Sequence, residues 1–214
     1  MHRQFLRKQF GNCRMWVFLS VSVLAARGQN FEISPLVGGR FGGSFKLEQP
    51  GRPNFHANVA DSVTYGISGG YRFSSEDCDD CSVVAFRWMR QDTHLEIPGL
   101  RPSVTLNHFL GDFTHEWPLE EARAVRPFIT GTLGAARMSA PAGSATRFVF
   151  GLGTGVKVFP RPRWGIQFHA EWLPIVLHSE QTIVCSGGCI VALNGGITNQ
   201  FAISVGPVFR FGPP

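Results

Sequence analysis

Apolar and polar residues alternate with a period of two along most of this chain, and residues 147–159 (RFVFGLGTGVKVF) show the pattern clearly. One face of this segment carries large apolar residues. The other face carries mostly glycine, with Arg147 and Lys157 near its two ends and with Val149 and Phe159 as its large apolar members. A period of two places successive side chains on opposite faces of a β-strand. The segment therefore predicts a long strand with one face of large apolar residues and one face of mostly small residues that carries few charges.

Further segments show the same alternation and bring the predicted number of strands to eight. They are residues 31–46, 55–73, 82–92, 103–115, 123–138, 164–176 and 198–211. Segment 103–115 switches parity, so the sequence does not assign its two faces. The stretches between the segments are rich in Gly, Pro and acidic residues, which interrupt strands. The predicted strands exceed the five or six residues usual in soluble sheets and suffice for the roughly 9–11 residues of a tilted membrane strand.

The composition of the polar faces indicates which side of the sheet is inside. These faces are rich in Gly, Ser, Thr and Ala, which suit the narrow interior of an eight-stranded barrel. Isolated charges would pair there, because an unpaired buried charge is costly. The charged and imidazole side chains assigned to this interior are Glu32, Arg40, Arg72, Arg87, Arg147, Lys157, His169, Glu171 and Arg210.

Aromatic residues gather near the ends of the predicted strands, as they do in the two interfacial girdles of membrane barrels. They are Phe31, Phe45, Phe55, Tyr71, Phe73, Trp164, Trp172, Phe209 and Phe211. The fold predicted from these features is all-β: an eight-stranded antiparallel up-and-down transmembrane β-barrel with its apolar face toward lipid. The alternative is a lipocalin-like soluble barrel, which would hide its apolar face inside.

The N-terminus predicts export. Residues 1–28 combine a basic start with an apolar stretch of 11 residues (MWVFLSVSVLA), which is too short to span a membrane as a helix. We expect a cleaved signal peptide over 1–28 and a barrel domain over 29–214, with a retained anchor helix as the alternative. The formal net charge of +5 comes from five basic residues in that leader. The exported domain is then nearly neutral, which argues against a nucleic-acid partner.

Two local cysteine pairs follow in the exported part of the chain. Cys78 and Cys81 lie in CDDC, and Cys185 and Cys189 lie in CSGGC. Two short disulfides suit an exported protein, while a redox-active CxxC and a shared zinc site are the alternatives. The predicted strand order puts the pairs at opposite ends of the barrel, which disfavours shared zinc. The acidic stretch 76–81 favours a solvated turn over a calcium site, so no cofactor is expected.

Catalytic patterns are weak in this sequence. His169 and Glu171 share the predicted interior face, and residues 178–180 read His-Ser-Glu. Adjacent residues on a strand point apart, so these three cannot form a hydrolytic triad by themselves. There is no P-loop, dinucleotide fingerprint or HExxH motif. We therefore expect a protein that is not an enzyme.

Five stretches of the sequence resemble a known family in their order along the chain. They are EISPLVGGRFG after the leader, RPFITGTLGAARM, FVFGLGTGVKV, GIQFHAEWLP and the final VGPVFRF. With these the chain resembles the eight-stranded outer-membrane β-barrel family, which includes the OmpA-like transmembrane domain. It departs from the family in one respect, since Phe211 is followed by Gly-Pro-Pro instead of ending the chain.

The resemblance implies location, topology and partners. It places both termini in the periplasm of a Gram-negative-type bacterium, with the barrel in its outer membrane. The implied periplasmic turns are 74–81, 116–122 and 160–163, and the implied external loops are 47–54, 93–102, 139–146 and 177–197. Outer-membrane lipid and the barrel assembly machinery are the implied partners of a monomer.

The function implied by the resemblance is structural or surface-interacting, with an interior plugged mostly by polar side chains. Ligands of the loops are not identified. Three alternatives stay open: a narrow solute pore, a lipid A-modifying hydrolase and a lipocalin-like periplasmic carrier. The hydrolase is considered because lipid A deacylases are eight-stranded barrels with a Ser/His/Glu site.

Overall fold

A computed structural model of the protein describes residues 30–48, 55–73, 81–96, 101–140, 143–177, 181–185, 189–193 and 196–212. These residues form strands and turns, and among them there is no helix long and apolar enough to cross a membrane. The strands are β1 (Phe31–Gly42), β2 (Ser44–Glu48), β3 (Phe55–Val59), β4 (Ser62–Phe73), β5 (Cys81–Glu96), β6 (Ser103–Glu116), β7 (Val125–Ala140), β8 (Gly143–Arg161), β9 (Trp164–Leu177), β10 (Gln181–Cys185), β11 (Cys189–Leu193) and β12 (Gly196–Phe211).

Eight of these strands close into an antiparallel barrel. The order around the wall is β1, β4, β5, β6, β7, β8, β9 and β12, and β12 pairs with β1 to complete the circle. Each wall strand corresponds to one of the eight predicted segments, so the predicted fold is confirmed. Closure leaves no unpaired edge within the wall. The end at which Phe31 and Phe211 pair is called the termini end below, and the opposite end is called the loop end.

Burial alternates along the wall as the period of two predicts. Large apolar side chains are exposed on the outer face of every wall strand, among them Leu152 on β8, Leu133 on β7 and Phe86 on β5. The intervening residues point inward and are mostly buried, including polar ones such as Arg87 and Gln91. The outer surface is therefore apolar, and a large part of the interior is polar.

Strand β6 alternates without the parity switch that its sequence suggests. Every even-numbered residue from Val104 to Glu116 is buried. The inward set is mixed, with His108 among Val104, Leu106 and Leu110, and with Asp112 and Glu116 toward the termini end. Neither face of β6 is uniformly apolar, so hydrophobicity alone could not show which of the two faces points into the barrel.

The predicted external loops contain more regular structure than expected. The segment 177–197 was expected to be loop, but it holds β10 and β11, in which Cys185 and Cys189 are directly opposite in the backbone register. Strands β2 and β3 pair in a similar way beyond β1 and β4. Strand β11 pairs with β2, and β3 pairs with β5. The sheet therefore continues past the closed wall at the loop end.

Glycines on β8 allow its neighbours to approach closely. A Cβ built on Gly155 would lie under 3.0 Å from both the carbonyl oxygen of Phe168 and the ring of Phe128. No heavy atom lies within 4 Å of a Cβ built on Gly131, which lies on the next strand. Overpacking of this kind typically costs about 1–3 kcal/mol.

We therefore expect Gly155→Ala to lower the free energy of unfolding of the barrel by about 1–3 kcal/mol. Gly131→Ala is the matched control and should have little effect. Urea unfolding in lipid vesicles, followed by tryptophan fluorescence, measures both. Equal stability of the two variants would show that the interior at Gly155 has more room than the structure gives it.

Candidate functional site

The interior near the termini end holds a network of ion pairs drawn from four strands, β1, β6, β8 and β12. The Nζ of Lys157 lies 2.8 Å from Glu32 Oε2 and 2.9 Å from Glu116 Oε2. Arg210 donates from Nε to Glu32 Oε1 at 2.5 Å and from Nη2 to Glu116 Oε1 at 2.7 Å. Glu32, Glu116, Lys157 and Arg210, here called the inner network, therefore link strands on different sides of the wall.

A second network lies midway along the interior and centres on Arg87. Its Nε and Nη2 donate to the two carboxylate oxygens of Asp112 at 2.8 and 3.0 Å. Its Nη1 and Nη2 donate to the oxygens of Glu171 at 2.9 and 2.6 Å. Thr132 Oγ1 also donates to Asp112 Oδ1 at 2.8 Å. Arg87, Asp112 and Glu171, here called the central network, join β5, β6 and β9 by bidentate bonds, the strongest arrangement available to a guanidinium.

Arg40 is a further buried cation, with 1% of its surface exposed. Its Nη1 contacts both ring nitrogens of His108 and lies 3.4 Å from Gln200 Oε1. No carboxylate of the described residues forms an ion pair with it. It does interact electrostatically with Glu171 of the central network. The interior thus contains a second buried arginine, which contacts His108 and Gln200.

The interior toward the loop end contains an apolar cluster, which the sequence did not predict. The buried side chains of this cluster are Val59, Val104, Leu106, Leu110, Ala136, Met138, Val149, Leu173 and Ile175. Leu95 and Ala140 pack against it. Buried polar side chains lie beside this cluster in the same part of the interior, with Gln91 opposite Leu106, Arg147 opposite Ala136 and Gln200 opposite Leu173 in the strand register.

A cavity of about 50 Å³ lies between the two networks. Its lining includes Lys157, Asp112, Arg87 and His169. The Nε2 of His169 is buried and has no hydrogen-bond partner among the described residues. A polar cavity of this size has room for a few water molecules, which can bridge buried polar groups of this kind.

The structure places the sequence-predicted interior residues as follows. Glu32, Arg40, Arg87, Arg147, Lys157, His169 and Glu171 are buried, and Arg72 and Arg210 are half-buried. They do not form one site. Arg147 donates to the carbonyl of Thr146 at 3.1 Å and is outside both networks. Arg72 lies at the termini-end mouth.

Sequence reasoning missed three interior residues of β6 and one of β7. His108 and Asp112 were not named because the faces of 103–115 were unassigned, and Glu116 was not named because it fell in the predicted turn 116–122. Arg126 of β7 lies 3.7 Å from Glu116 Oε1. A signal for the carboxylates was present, since the predicted interior held more arginine and lysine than Asp and Glu. Buried cations need partners, and the even-numbered carboxylates of β6 were available to supply them.

The remaining sequence candidates are largely outside the described residues. Cys81 is buried, whereas Cys78 and the His-Ser-Glu stretch 178–180 lie outside the described ranges, as does the leader. The two disulfides therefore stay predictions. Within the described residues, no group of three or more His, Cys, Asp or Glu side chains could hold a metal ion.

Comparison with solved structures finds outer-membrane proteins that align with this chain over nearly their whole length. Neisserial surface protein A aligns with a TM-score of 0.56 at 14% identity, over 85% of this chain and 97% of that one. OprG, an outer membrane protein of Pseudomonas aeruginosa, gives 0.54 at 8% identity, over 87% and 98%. The outer membrane protein AlkL, solved in DMPC bilayers, gives 0.53 at 10% identity, over 87% and 92%.

Comparison of sequences gives no match, because neither a protein-family model nor a curated protein matches the chain. Identities of 8–14% carry the fold alone. The closed eight-stranded antiparallel wall and the alignments over nearly the full length of these barrels agree. The chain therefore has the fold of the eight-stranded outer-membrane β-barrel proteins.

Proposed function

We propose that this protein is a small outer-membrane barrel with a structural or surface-interaction role and a plugged interior. The observation that carries the proposal is the pair of ion-pair networks that join strands on different sides of the barrel. Arg87 bonds Asp112 and Glu171 at 2.6–3.0 Å, and the apolar cluster packs inside the barrel toward the loop end. Such contacts occupy the interior cross-section that a channel would have to leave open.

The outer face supports the location in a membrane. Exposed apolar side chains surround the wall on all eight strands, far beyond the isolated apolar patches of soluble monomers. Lipid removes the cost of exposing them to water. The lipocalin-like alternative needs these residues inside, whereas here the inward positions include Arg87 and Glu116, both nearly inaccessible to solvent.

The loop end supports the surface-interaction part of the proposal. Strands β2, β3, β10 and β11 extend the sheet beyond the wall. In a barrel with both termini in the periplasm, this extension is on the cell surface and offers a regular scaffold for a ligand. Insertion by the barrel assembly machinery and a monomeric state belong to the same proposal.

The narrow-pore alternative is tested by electrical recording. We expect the purified protein to give no stepwise conductance in a planar bilayer, because charged pairs and buried leucines fill the interior. Reproducible unitary steps that change on Glu171→Gln or Arg72→Gln would overturn the plugged interior and favour a pore. Refolding the same preparation into vesicles controls for failed insertion.

The hydrolase alternative is the second candidate that the proposal excludes. Glu171 accepts two hydrogen bonds from Arg87, so it is occupied as a structural partner and is not available as a general base. We expect lipid A incubated with the folded protein to keep all its acyl chains, as read by mass spectrometry. Deacylation that is lost in His178→Ala would contradict this.

A further inference from the structure

Six arginines surround one pocket of about 360 Å³ at the termini end of the barrel. They are Arg72, Arg123, Arg126, Arg161, Arg163 and Arg210, and they define what is called here the arginine pocket. Three point inward from wall strands at the mouth, namely Arg72 on β4, Arg126 on β7 and Arg210 on β12. The others lie at the turns that join β6 to β7 and β8 to β9.

The pocket has a fixed frame. The backbone nitrogen of Arg210 donates to the carbonyl of Arg163 at 2.8 Å, and that of Phe159 donates to the carbonyl of Ala124 at 2.7 Å. The guanidinium of Arg210 lies 3.5 Å from the centre of the Phe159 ring. These contacts hold both turns against the wall strands, so the backbone positions of Arg123 and Arg163 are fixed relative to Arg210.

The arginines of the pocket are not matched by carboxylates. Arg210 and Arg126 contact Glu116, and Arg210 also contacts Glu32, but Lys157 already contacts both carboxylates. The remaining four arginines make no ion pair with any described carboxylate. The Nε of Arg72 is buried with no hydrogen-bond partner among the described residues.

We propose that the arginine pocket binds a phosphate-bearing anion. The planar guanidinium presents paired donors that match phosphate oxygens bidentately. Several converging forks exceed what the two oxygens of one carboxylate can accept, whereas a phosphate or diphosphate group offers acceptors in several directions. The exposed Phe211 and Trp164 beside the pocket are interfacial residue types, so the phosphate could come from a lipid headgroup or from a soluble compound.

One competing counter-ion lies in the chain itself. The segment 74–80, which lies outside the described residues, joins β4 to β5 at the same end and contains Glu76, Asp77, Asp79 and Asp80. Glu120 and Glu121 lie in the turn with Arg123, without an ion pair among the described residues. The experiment therefore has to separate an external anion from these carboxylates.

The test is calorimetric titration of the full folded chain, in zwitterionic detergent at fixed ionic strength, with inorganic pyrophosphate as the probe. We expect saturable binding that weakens at least about tenfold in the triple variant Arg123→Gln/Arg161→Gln/Arg163→Gln, since each lost charge-assisted contact is worth about 1.5–3 kcal/mol and 1.4 kcal/mol is tenfold. The matched control, with Arg90, Arg101 and Arg137 changed to Gln, removes the same charge away from the pocket and should keep the affinity.

A second arm identifies the source of the phosphate. The unmodified barrel and both triple variants are released from nanodiscs of equal phosphatidylglycerol and phosphatidylcholine, and retained lipids are counted by native mass spectrometry. Preferential retention of phosphatidylglycerol that the pocket variant loses assigns a lipid headgroup. Pyrophosphate binding without that preference assigns a soluble phosphate.

Three results would overturn the proposal. One is the absence of saturable pyrophosphate binding, and another is equal affinity of the pocket variant and its control. The third is binding that appears only after Glu76, Asp77, Asp79 and Asp80 are changed to Gln or Asn, because the chain's own carboxylates would then be the ligands of the pocket. Circular dichroism of each variant establishes that the comparison is made on folded barrels.

Discussion

Replacing Arg87 by methionine is expected to destabilise the folded barrel by about 3–5 kcal/mol, the cost of removing one partner of a buried ion pair. Arg87 is 1% exposed and binds both Asp112 and Glu171 through bidentate contacts. Its loss leaves two carboxylates together in the interior with no guanidinium between them. Urea unfolding in lipid vesicles, followed by tryptophan fluorescence, measures the change.

Two companion variants make this result specific. Arg90→Met changes the same residue type on the same strand, but Arg90 lies on the outer face and pairs with an exposed Asp92, so the midpoint should barely move. Replacing Arg87, Asp112 and Glu171 together by Met, Leu and Met should recover much of the loss, because no buried charge is then left unpaired. An Arg87→Met barrel as stable as the unmodified one would show that water reaches the central network freely.

Replacing Leu152 by arginine is expected to cost about 2–4 kcal/mol of unfolding free energy in a bilayer, as for a cation at the midplane of a membrane barrel. Leu152 lies in the middle of β8, on the outer face, and is 65% exposed. Lipid covers this position in the membrane arrangement, whereas water covers it in a soluble one. The size of the loss in unfolding free energy therefore distinguishes the two environments.

The matched control is the same substitution outside the wall. Leu119 is 42% exposed and lies in the turn between β6 and β7, where Leu119→Arg should be nearly neutral. Both variants are unfolded from vesicles under the same conditions. A Leu152→Arg variant as stable as Leu119→Arg would mean that the middle of the outer face is in contact with water.

Much of the wall could be predicted because its alternation is strong. The segment 147–159 becomes the centre of β8, and Arg147, Lys157 and the glycines between them point inward as expected. Prediction failed where an interior face changes character. On β6, Leu106 and Leu110 join the apolar cluster, whereas His108 between them contacts Arg40, and Asp112 binds Arg87. Hydrophobicity alone therefore does not identify the inward face.

The partners of the interior charges could not be predicted for a different reason. Arg87 and Glu171 are 84 positions apart in the chain, and Glu32 and Arg210 are 178 apart. Which interior side chains meet depends on the stagger of the closed wall, and alternation along a single strand contains no information about stagger. Strands β10 and β11 could not be predicted because each is only five residues long and glycine pairs interrupt the alternation between 177 and 197.

The most direct single measurement is the gel mobility of the protein extracted from membranes, with and without boiling in sodium dodecyl sulfate. A closed barrel whose wall is held by continuous pairing and by interior ion pairs should keep its fold in the unboiled sample and change mobility after boiling. A protein that stays soluble without detergent and shows one mobility in both samples would contradict a membrane barrel and would place its apolar face away from lipid.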